Sequence, residues 1–357
     1  MKNSLYLHLP FCRSICPYCD FARTSYQSGL VDEYLGILCP SIPDEDFRTI
    51  YIGGGTPSCL TDLQLELLLK ALYQRTSGEY SVEFNIADVN EKKLILLRSY
   101  GVNRISLGVQ SFDESILRQC NRPSSQTAVI KAIELVKSYF TNYSIDLLYG
   151  LPQQSCASFL DDLRLAKQLQ VPHLSLYGLT IEENSIWGKA KIKSPNQDLL
   201  ADYYQLAYEY LRHDYQHYEI SNFALPGYQA QHNLVYWQYQ DYYGIGLGAA
   251  SKLGNRRYSY TRNLSAYMSK QKLSEDIYLS QKQQMFEYLM MNLRLAQGIN
   301  LAVFKDLFDY DFLEYYQEVI NKKRDYLIVG ENNLAIKQDF WYVSNSILVE
   351  FLTEEVM

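Results

Sequence analysis

Short runs rich in Val, Ile, Leu and aromatic residues recur along the first half of the chain. They are SLYLHLPF (4–11), FRTIYIGGG (47–55), YSVEFNIAD (80–88), RISLGVQS (104–111), NYSIDLLYG (142–150) and HLSLYGLT (173–180). Each is short enough for a buried strand. Between them the apolar positions follow a helical period, in SGLVDEYLGIL (28–38), TDLQLELLLKALYQR (61–75), NEKKLILLRSYG (90–101), SSQTAVIKAIELVKSYF (124–140) and SCASFLDDLRLAKQLQ (155–170). Thr61 and Gln64 fit a capping box, and Gly101 is placed to terminate the third helix. Strands alternating with helices in this way predict an α/β fold. Its core reads as a parallel sheet wound as a partial or full βα barrel, with functional groups at the C-terminal ends of the strands.

After about residue 185 the pattern changes. A Tyr-rich helical stretch (197–213) leads into YEISNFALPGYQAQHNLVYWQYQDYYGIGLGAAS (218–251), which reads as continuation and decoration of the barrel. Residues 252–280 are polar and read as a connection, and QQMFEYLMMNLRLAQGI (283–299) opens a second, helical unit. The predicted organisation is a barrel core over 1–185, an extension over 186–275 and a smaller, mostly helical C-terminal domain over 276–357.

Composition narrows the function. A chain of 357 residues is long enough for a barrel plus an appendage. The formal charge is −7 and no Lys/Arg stripe is present, which argues against nucleic acid as the main partner. No basic leader precedes an apolar run and no stretch reaches the roughly 18 apolar residues of a membrane span, so a cytoplasmic protein without a transmembrane segment is expected. The seven cysteines are odd in number, and only Cys12, Cys16 and Cys19 cluster, which is unlike a disulfide framework.

The unusual residues fall at predicted strand ends. Cys12, Cys16 and Cys19 follow the first strand, Gly53-Gly54-Gly55-Thr56-Pro57 the second, Glu83 and Asn85 lie late in the third, Gln110 ends the fourth, and Asp146 lies in the fifth. A structural zinc site normally closes a tetrahedron with four ligands, and a complete ferredoxin-type [4Fe-4S] site needs a fourth thiolate. Three thiolates therefore leave one iron open to an exchangeable molecule. The bland alternative is three buried thiols packed as small hydrophobes.

The CxxxCxxC of Cys12, Cys16 and Cys19, with Tyr18 before the last cysteine, resembles the cluster loop of radical S-adenosylmethionine (SAM) enzymes. YIGGGTPS resembles their SAM-binding strand end. More narrowly, LYLHLPFCRSICPYCDF, YIGGGTPS, GVNRISLGVQSFDESIL, SIDLLYGLP and HLSLYGLTIEENS are similar to the oxygen-independent coproporphyrinogen III oxidase superfamily, with the likeness running nearly end to end. The resemblance implies a partial (β/α)6-type TIM-like radical SAM barrel carrying a [4Fe-4S] cluster, with SAM on the open iron. It also implies SAM contacts at Gly54, Gly55, Thr56, Glu83, Gln110, Arg122 and Asp146, and further contacts at Tyr6 and Tyr18 beside the cluster.

Within that superfamily the oxidases carry an additional cysteine two positions after the third, where this chain has Phe21, and an N-terminal arm, whereas here five residues precede Tyr6. HNLVYW (232–237) instead resembles the HNxxYW motif of the heme-chaperone branch, which is associated with heme binding and delivery. That resemblance implies heme as a ligand near His232, an unidentified heme-acceptor protein and a cellular electron donor for the cluster. Two departures stand out: Glu83-Phe84-Asn85 is followed by Ile86 where the family usually has Pro, and Ser124 or Ser125 replaces a common histidine near Arg122. GIGLGA (244–249) matches the dinucleotide pattern GxGxxA but lacks its sequence context, and reads as a tight backbone near the barrel mouth. The leading expectation is a heme chaperone without coproporphyrinogen dehydrogenase activity. The alternatives are the anaerobic oxidase itself and a structural iron-sulfur or zinc protein.

Overall fold

The structure is a computed structural model and describes residues 2–269 and 273–352. The six apolar runs form β1 (Ser4–Leu9), β2 (Ile50–Gly54), β3 (Tyr80–Asn85), β4 (Arg104–Gln110), β5 (Asn142–Tyr149) and β6 (His173–Gly178). Each pairs in parallel with the next. The crossovers contain α1 (Ser28–Leu38), α2 (Asp62–Ala71), α3 (Glu91–Ser99), α4 (Gln126–Tyr139) and α5 (Cys156–Gln168). At the start of α2 the Thr61 hydroxyl accepts from the Gln64 N–H while the Gln64 side chain accepts from the Thr61 N–H, which is the expected capping box. Helix α4 buries Val129, Ala132, Ile133 and Val136, a single stripe at helical spacing.

Alternation along the strands explains how apolar runs can build a polar cavity. In β1 to β6 the residues Leu5, Leu7, Ile50, Ile52, Val82, Ile105, Leu107, Ile145, Leu147 and Leu174 belong to the main core. The intervening residues carry polar groups, and the register lines them up: Tyr51 with Ser81, Glu83 with Ser106, Ser106 with Ser144, Ser144 with His173, and Asp146 with Ser175. A period of two therefore sends one set of side chains under the helices and the other into the barrel.

The sheet then continues through β7 (Gln216–Glu219), β8 (Asn222–Ala224), β9 (Tyr242–Gly246), β10 (Ala250–Leu253), β11 (Arg256–Tyr260) and β12 (Leu273–Tyr278). Its order is β12-β11-β10-β9-β1-β2-β3-β4-β5-β6-β8-β7, an open sheet rather than a closed barrel. β9 runs parallel to β1, so seven strands rather than six form the parallel part, while β8 pairs antiparallel with β6. Within 252–280, the expected connection is instead sheet: β11 pairs antiparallel with both β10 and β12, and the Arg256 guanidinium grips Asp276 with two bonds of 2.8 and 2.9 Å. These strands escape a hydrophobicity pattern because every residue of β11 is half-buried and most of β12 is exposed. GIGLGA is the close backbone expected: a Cβ on Gly246, at φ +119°, would lie 2.5 Å from the His8 carbonyl oxygen.

Helices α6 (Gln197–Leu211) and α7 (Gln231–Trp237) precede the C-terminal unit, which opens with α8 (Gln281–Asn292) and α9 (Leu301–Phe308). That unit also carries a three-stranded sheet of β13 (Ile299–Asn300), β14 (Leu327–Val329) and β15 (Asn333–Ile336), ordered β13-β15-β14. It has its own core, with Tyr288, Phe304, Phe308, Phe312 and Trp341. Backbone bonds join it to the barrel, from the Ile220 N–H to the Arg294 oxygen at 3.1 Å and from the Ala296 N–H to the Tyr218 oxygen at 3.0 Å.

Ile145→Ala, at a fully buried core position in β5, is expected to cost about 2–5 kcal/mol in denaturant unfolding, whereas Leu63→Ala, on the exposed face of α2, is expected to stay within about 0.5 kcal/mol. Equal effects would mean that the helices do not pack on the sheet as described.

Candidate functional site

A cavity of about 550 Å³ opens at the C-terminal ends of β1 to β6 and reaches down to the start of α7. Cys12, Cys16, Cys19, Tyr18, Gly54, Gly55, Thr56, Glu83, Gln110, Arg122 and Asp146 all line it. The structure thus brings together residues drawn from five strand ends and the loop beyond β4. Of the expected site residues, Tyr6 and His232 are not among those lining it.

The cysteine loop is held on several sides. Phe11–Cys12 pairs in parallel with Thr24–Ser25, and the Tyr26 N–H donates to the Cys12 oxygen at 2.9 Å. A turn places the Cys19 N–H on the Cys16 oxygen at 3.2 Å. The Asn121 amide donates to the Ile15 oxygen at 3.0 Å and the Ser14 hydroxyl to the Asn121 oxygen at 2.7 Å, tying the loop to the segment that carries Arg122.

Donors are aimed at the sulfurs. The Arg122 guanidinium Nε lies 3.0 Å from Cys16 Sγ, while its Nη1 donates to the Gly108 oxygen at 2.9 Å. The Thr56 hydroxyl lies 3.5 Å from Cys12 Sγ. A buried cation and a hydroxyl directed at thiol sulfurs suit sulfurs that carry negative charge. Burial alone pushes the Cys12 thiol up to about 11 and raises Cys19 as well, so the thiolate forms need a metal's charge, which deprotonates a coordinating thiol. Among the described residues no trio of His, Cys, Asp or Glu forms a cage for a single ion, and the three thiols instead stand around one cavity mouth. That donor set fits a polynuclear iron-sulfur cluster with one iron left open.

The glycines that end β2 serve the protein's own packing. A Cβ on Gly53 would lie 2.7 Å from Glu83 Oε1, and one on Gly54, at φ +113°, would lie 2.7 Å from the His8 ring. Glu83 accepts from the Tyr51 hydroxyl at 2.8 Å and from the Gly54 N–H at 3.2 Å. Burial raises its pKa to about 7, and burial raises Asp146 to about 6, with the Ser106 hydroxyl 3.3 Å from Asp146 Oδ1. Both carboxylates are therefore poised to accept hydrogen bonds or a positive charge from a ligand. Gln110 sits at a break in the β4–β5 register with φ +72°, and its side chain accepts from the Tyr18 hydroxyl at 3.2 Å.

Tyr6 acts one step behind the cavity. Its hydroxyl lies 2.9 Å from His8 Nδ1, and His8 Nε2 lies 2.7 Å from the Ala22 oxygen. Since the carbonyl can only accept, Nε2 carries the proton and Nδ1 accepts from Tyr6. Burial lowers His8 to about 4, so the ring is neutral and orders the cysteine loop through Ala22.

His232 sits apart from the cysteine cavity. It lies at the opposite end of the barrel, where Thr49 precedes β2. Nδ1 bonds the Thr49 hydroxyl at 2.8 Å, Nε2 bonds the Tyr236 hydroxyl at 2.7 Å, and the ring stacks on Tyr51 with centroids 5.2 Å apart. Burial lowers its pKa to about 3. Both ring nitrogens are thus engaged, and only 1% of the residue's surface is exposed. Its helix α7 is instead a plug, seated by the Glu79 carboxylate, which accepts from the Gln231 and His232 N–H groups at 3.0 Å each. Asn233, the next residue of the motif, lines the cavity floor with Ser106, Ser144, His173 and Ser175. These floor residues were readable only as polar interruptions at every second position of apolar runs.

Comparisons with known proteins agree with this architecture. Residues 6–166 match the radical SAM superfamily model and residues 279–338 the HemN C-terminal domain model. The chain is 34% identical to a protein named heme chaperone HemW from Lactococcus lactis, over 99% of this chain and 98% of that protein. It is 33% identical to the Escherichia coli heme chaperone HemW, over 98% of each, and 36% identical to that of Bacillus subtilis, over 71% of this chain and 72% of the relative. The fold is that of the Escherichia coli coproporphyrinogen III oxidase HemN, a radical SAM enzyme, with a TM-score of 0.85 and 23% identity covering 98% of this chain and 90% of that one. With such identity along nearly its whole length, the chain belongs to the heme chaperone HemW family of the radical SAM superfamily.

Proposed function

We propose that this chain holds a [4Fe-4S] cluster on Cys12, Cys16 and Cys19, takes SAM on the open iron, binds heme and passes it to an acceptor protein. The observation that carries the reading is 34% identity over 99% of the chain to a relative named as a heme chaperone. The substitution of Phe21, an exposed residue on the cavity rim, for the additional cysteine that resemblance assigns to the oxidases supports a chaperone over a decarboxylase. Within the described residues no helix is long and apolar enough to cross a membrane. A cytoplasmic location, where thiols stay reduced, is part of the same proposal.

The residues then divide the work. Arg122 and Thr56 stabilise charge on the cluster sulfurs, and His8 with Tyr6 holds the loop in place. Glu83 accepts from the amino group or a ribose hydroxyl of SAM, with Gly54, Gly55, Gln110, Asp146 and Tyr18 completing the wall. When bound, the cluster and SAM would supply one-electron chemistry, for which a cellular electron donor would be required.

Anaerobic reconstitution of the full chain with iron and sulfide is expected to produce iron-sulfur absorption that Cys16→Ala abolishes and Cys39→Ala, in the turn after α1, leaves intact. Retention in Cys16→Ala would remove this cysteine from the ligand set. Glu83→Gln is expected to weaken SAM binding to the reconstituted protein by about tenfold, a change of 1.4 kcal/mol, with the cluster spectrum unchanged. Titrated with heme, the wild type is expected to saturate without converting coproporphyrinogen. Formation of protoporphyrinogen together with 5′-deoxyadenosine would replace the chaperone reading with the oxidase.

A further inference from the structure

Behind the cavity wall lies a polar cluster that the site described above does not use. It gathers Arg13 from the cysteine loop, Ser58 and Cys59 from the turn after β2, Asp88 from the turn after β3, and Lys93 from the first turn of α3. These residues are not among those lining the cavity.

Ser58 is the centre of the cluster and is fully buried. Its hydroxyl donates to Asp88 Oδ2 at 2.8 Å and accepts from the Asn85 N–H at 3.0 Å, and its carbonyl accepts from the Lys93 ammonium. One residue is thus tied both to the end of β3 and to the start of α3. It also closes the turn that follows the cavity-lining Gly54, Gly55 and Thr56, where the Thr56 oxygen accepts from the Cys59 N–H at 2.9 Å. A shift of Ser58 is therefore transmitted to the backbone that faces a ligand in the cavity.

Asp88 joins this turn to the cysteine loop. Its Oδ1 lies 3.9 Å from Arg13 Nε, while Arg13 Nη2 donates to the Cys59 oxygen at 2.8 Å and the guanidinium lies 4.5 Å over the Tyr26 ring. The Arg13 side chain is 55% exposed, so the ion pair contributes little energy. What it adds is placement, because Arg13 stands between Cys12 and Cys16 and touches both a carbonyl and a carboxylate beside Ser58.

The turn that carries Asp88 needs such a tether. A proline at position 86 would fix φ through its ring, whereas Ile86 leaves that torsion free. Side chains hold the turn over Ile86–Asp88 instead. Asn85 Oδ1 accepts from the Ala87 N–H at 3.4 Å, the Asn90 amide donates to the Asp88 oxygen at 3.0 Å, and the Asp88 carboxylate reaches across to Ser58.

Resting on the SAM-binding reading above, we propose that Asp88 is a positioning residue: through Ser58 it sets the turn that presents Gly54, Gly55 and Thr56 to SAM at a fixed spacing from the cysteine loop, without touching SAM or the cluster itself.

The test uses the full chain reconstituted anaerobically with iron and sulfide. SAM binding is measured by equilibrium dialysis and by the change that SAM makes in the low-temperature EPR spectrum of the dithionite-reduced protein. Asp88→Ala is expected to keep the wild-type iron-sulfur absorption, to bind SAM about tenfold more weakly and to show a diminished SAM-dependent change in the spectrum. Ser58→Ala is expected to behave alike, and the double variant Ser58→Ala/Asp88→Ala to bind no more weakly than either single one, because both remove the same bond. Asp88→Asn, whose amide oxygen still accepts from Ser58, is expected to recover SAM affinity to within about threefold of the wild type. Wild-type SAM affinity in Asp88→Ala, losses that multiply in the double variant, or an Asn variant as weak as the Ala variant would overturn the proposal. Loss of the iron-sulfur absorption in step with SAM affinity would also overturn it, by assigning Asp88 to the cysteine loop alone. If the wild type itself binds no SAM, the SAM reading falls and the positioning role with it, an outcome separate from any difference among the variants.

Discussion

Polar groups on the inner face of parallel strands have to satisfy one another, because the helices cover only the outer face. An unpaired buried polar group costs roughly 1–3 kcal/mol, so the interior of this barrel is organised as short chains of hydrogen bonds. One runs from Tyr6 through His8 to the Ala22 carbonyl. A second links Tyr51 to Glu83 and the Gly54 N–H. A third passes from Ser4 through Thr49 and His232 to Tyr236. Each chain ends at a loop or helix that shapes a cavity. Satisfying the interior and building the site are the same act.

The two ends of the barrel are consequently different. At the C-terminal end the chains support a loop whose sulfurs receive Arg122 and Thr56. At the N-terminal end α7 closes the interior, seated by Glu79, which also faces the buried Arg104 at 4.0 Å. A buried pair of this kind contributes little net stability, yet removing one partner strands the other. It therefore acts chiefly as a locator for α7.

Much of the scaffold was legible in order and in kind. Six strands, five helices, the Thr61 capping box and the polar residues at strand ends all follow from local periodicity, which reports burial on one or both faces. The failures have a common cause. β11 and β12 are half-buried or exposed and bear few apolar residues, so their pairing is decided by a backbone ladder and cross-strand ions such as Arg256 and Asp276. β9 joins the parallel set where the glycine at 246 allows it to lie against His8 of β1, a contact across more than two hundred residues.

The site divides along the same line. By itself the sequence determined that three cysteines share one turn-rich loop, close together whatever the rest of the chain does, and it determined which strand ends carry polar groups. Only the tertiary structure decided which way those groups face. Gly53 and Gly54 make room for Glu83 and His8, Tyr6 stands behind His8 and away from the cavity, and His232 turns its nitrogens to Thr49 and Tyr236. The orientation of a histidine depends on what surrounds each ring nitrogen, and for His232 one of those neighbours, Thr49, stands 183 residues away in the chain, beyond the reach of any local pattern.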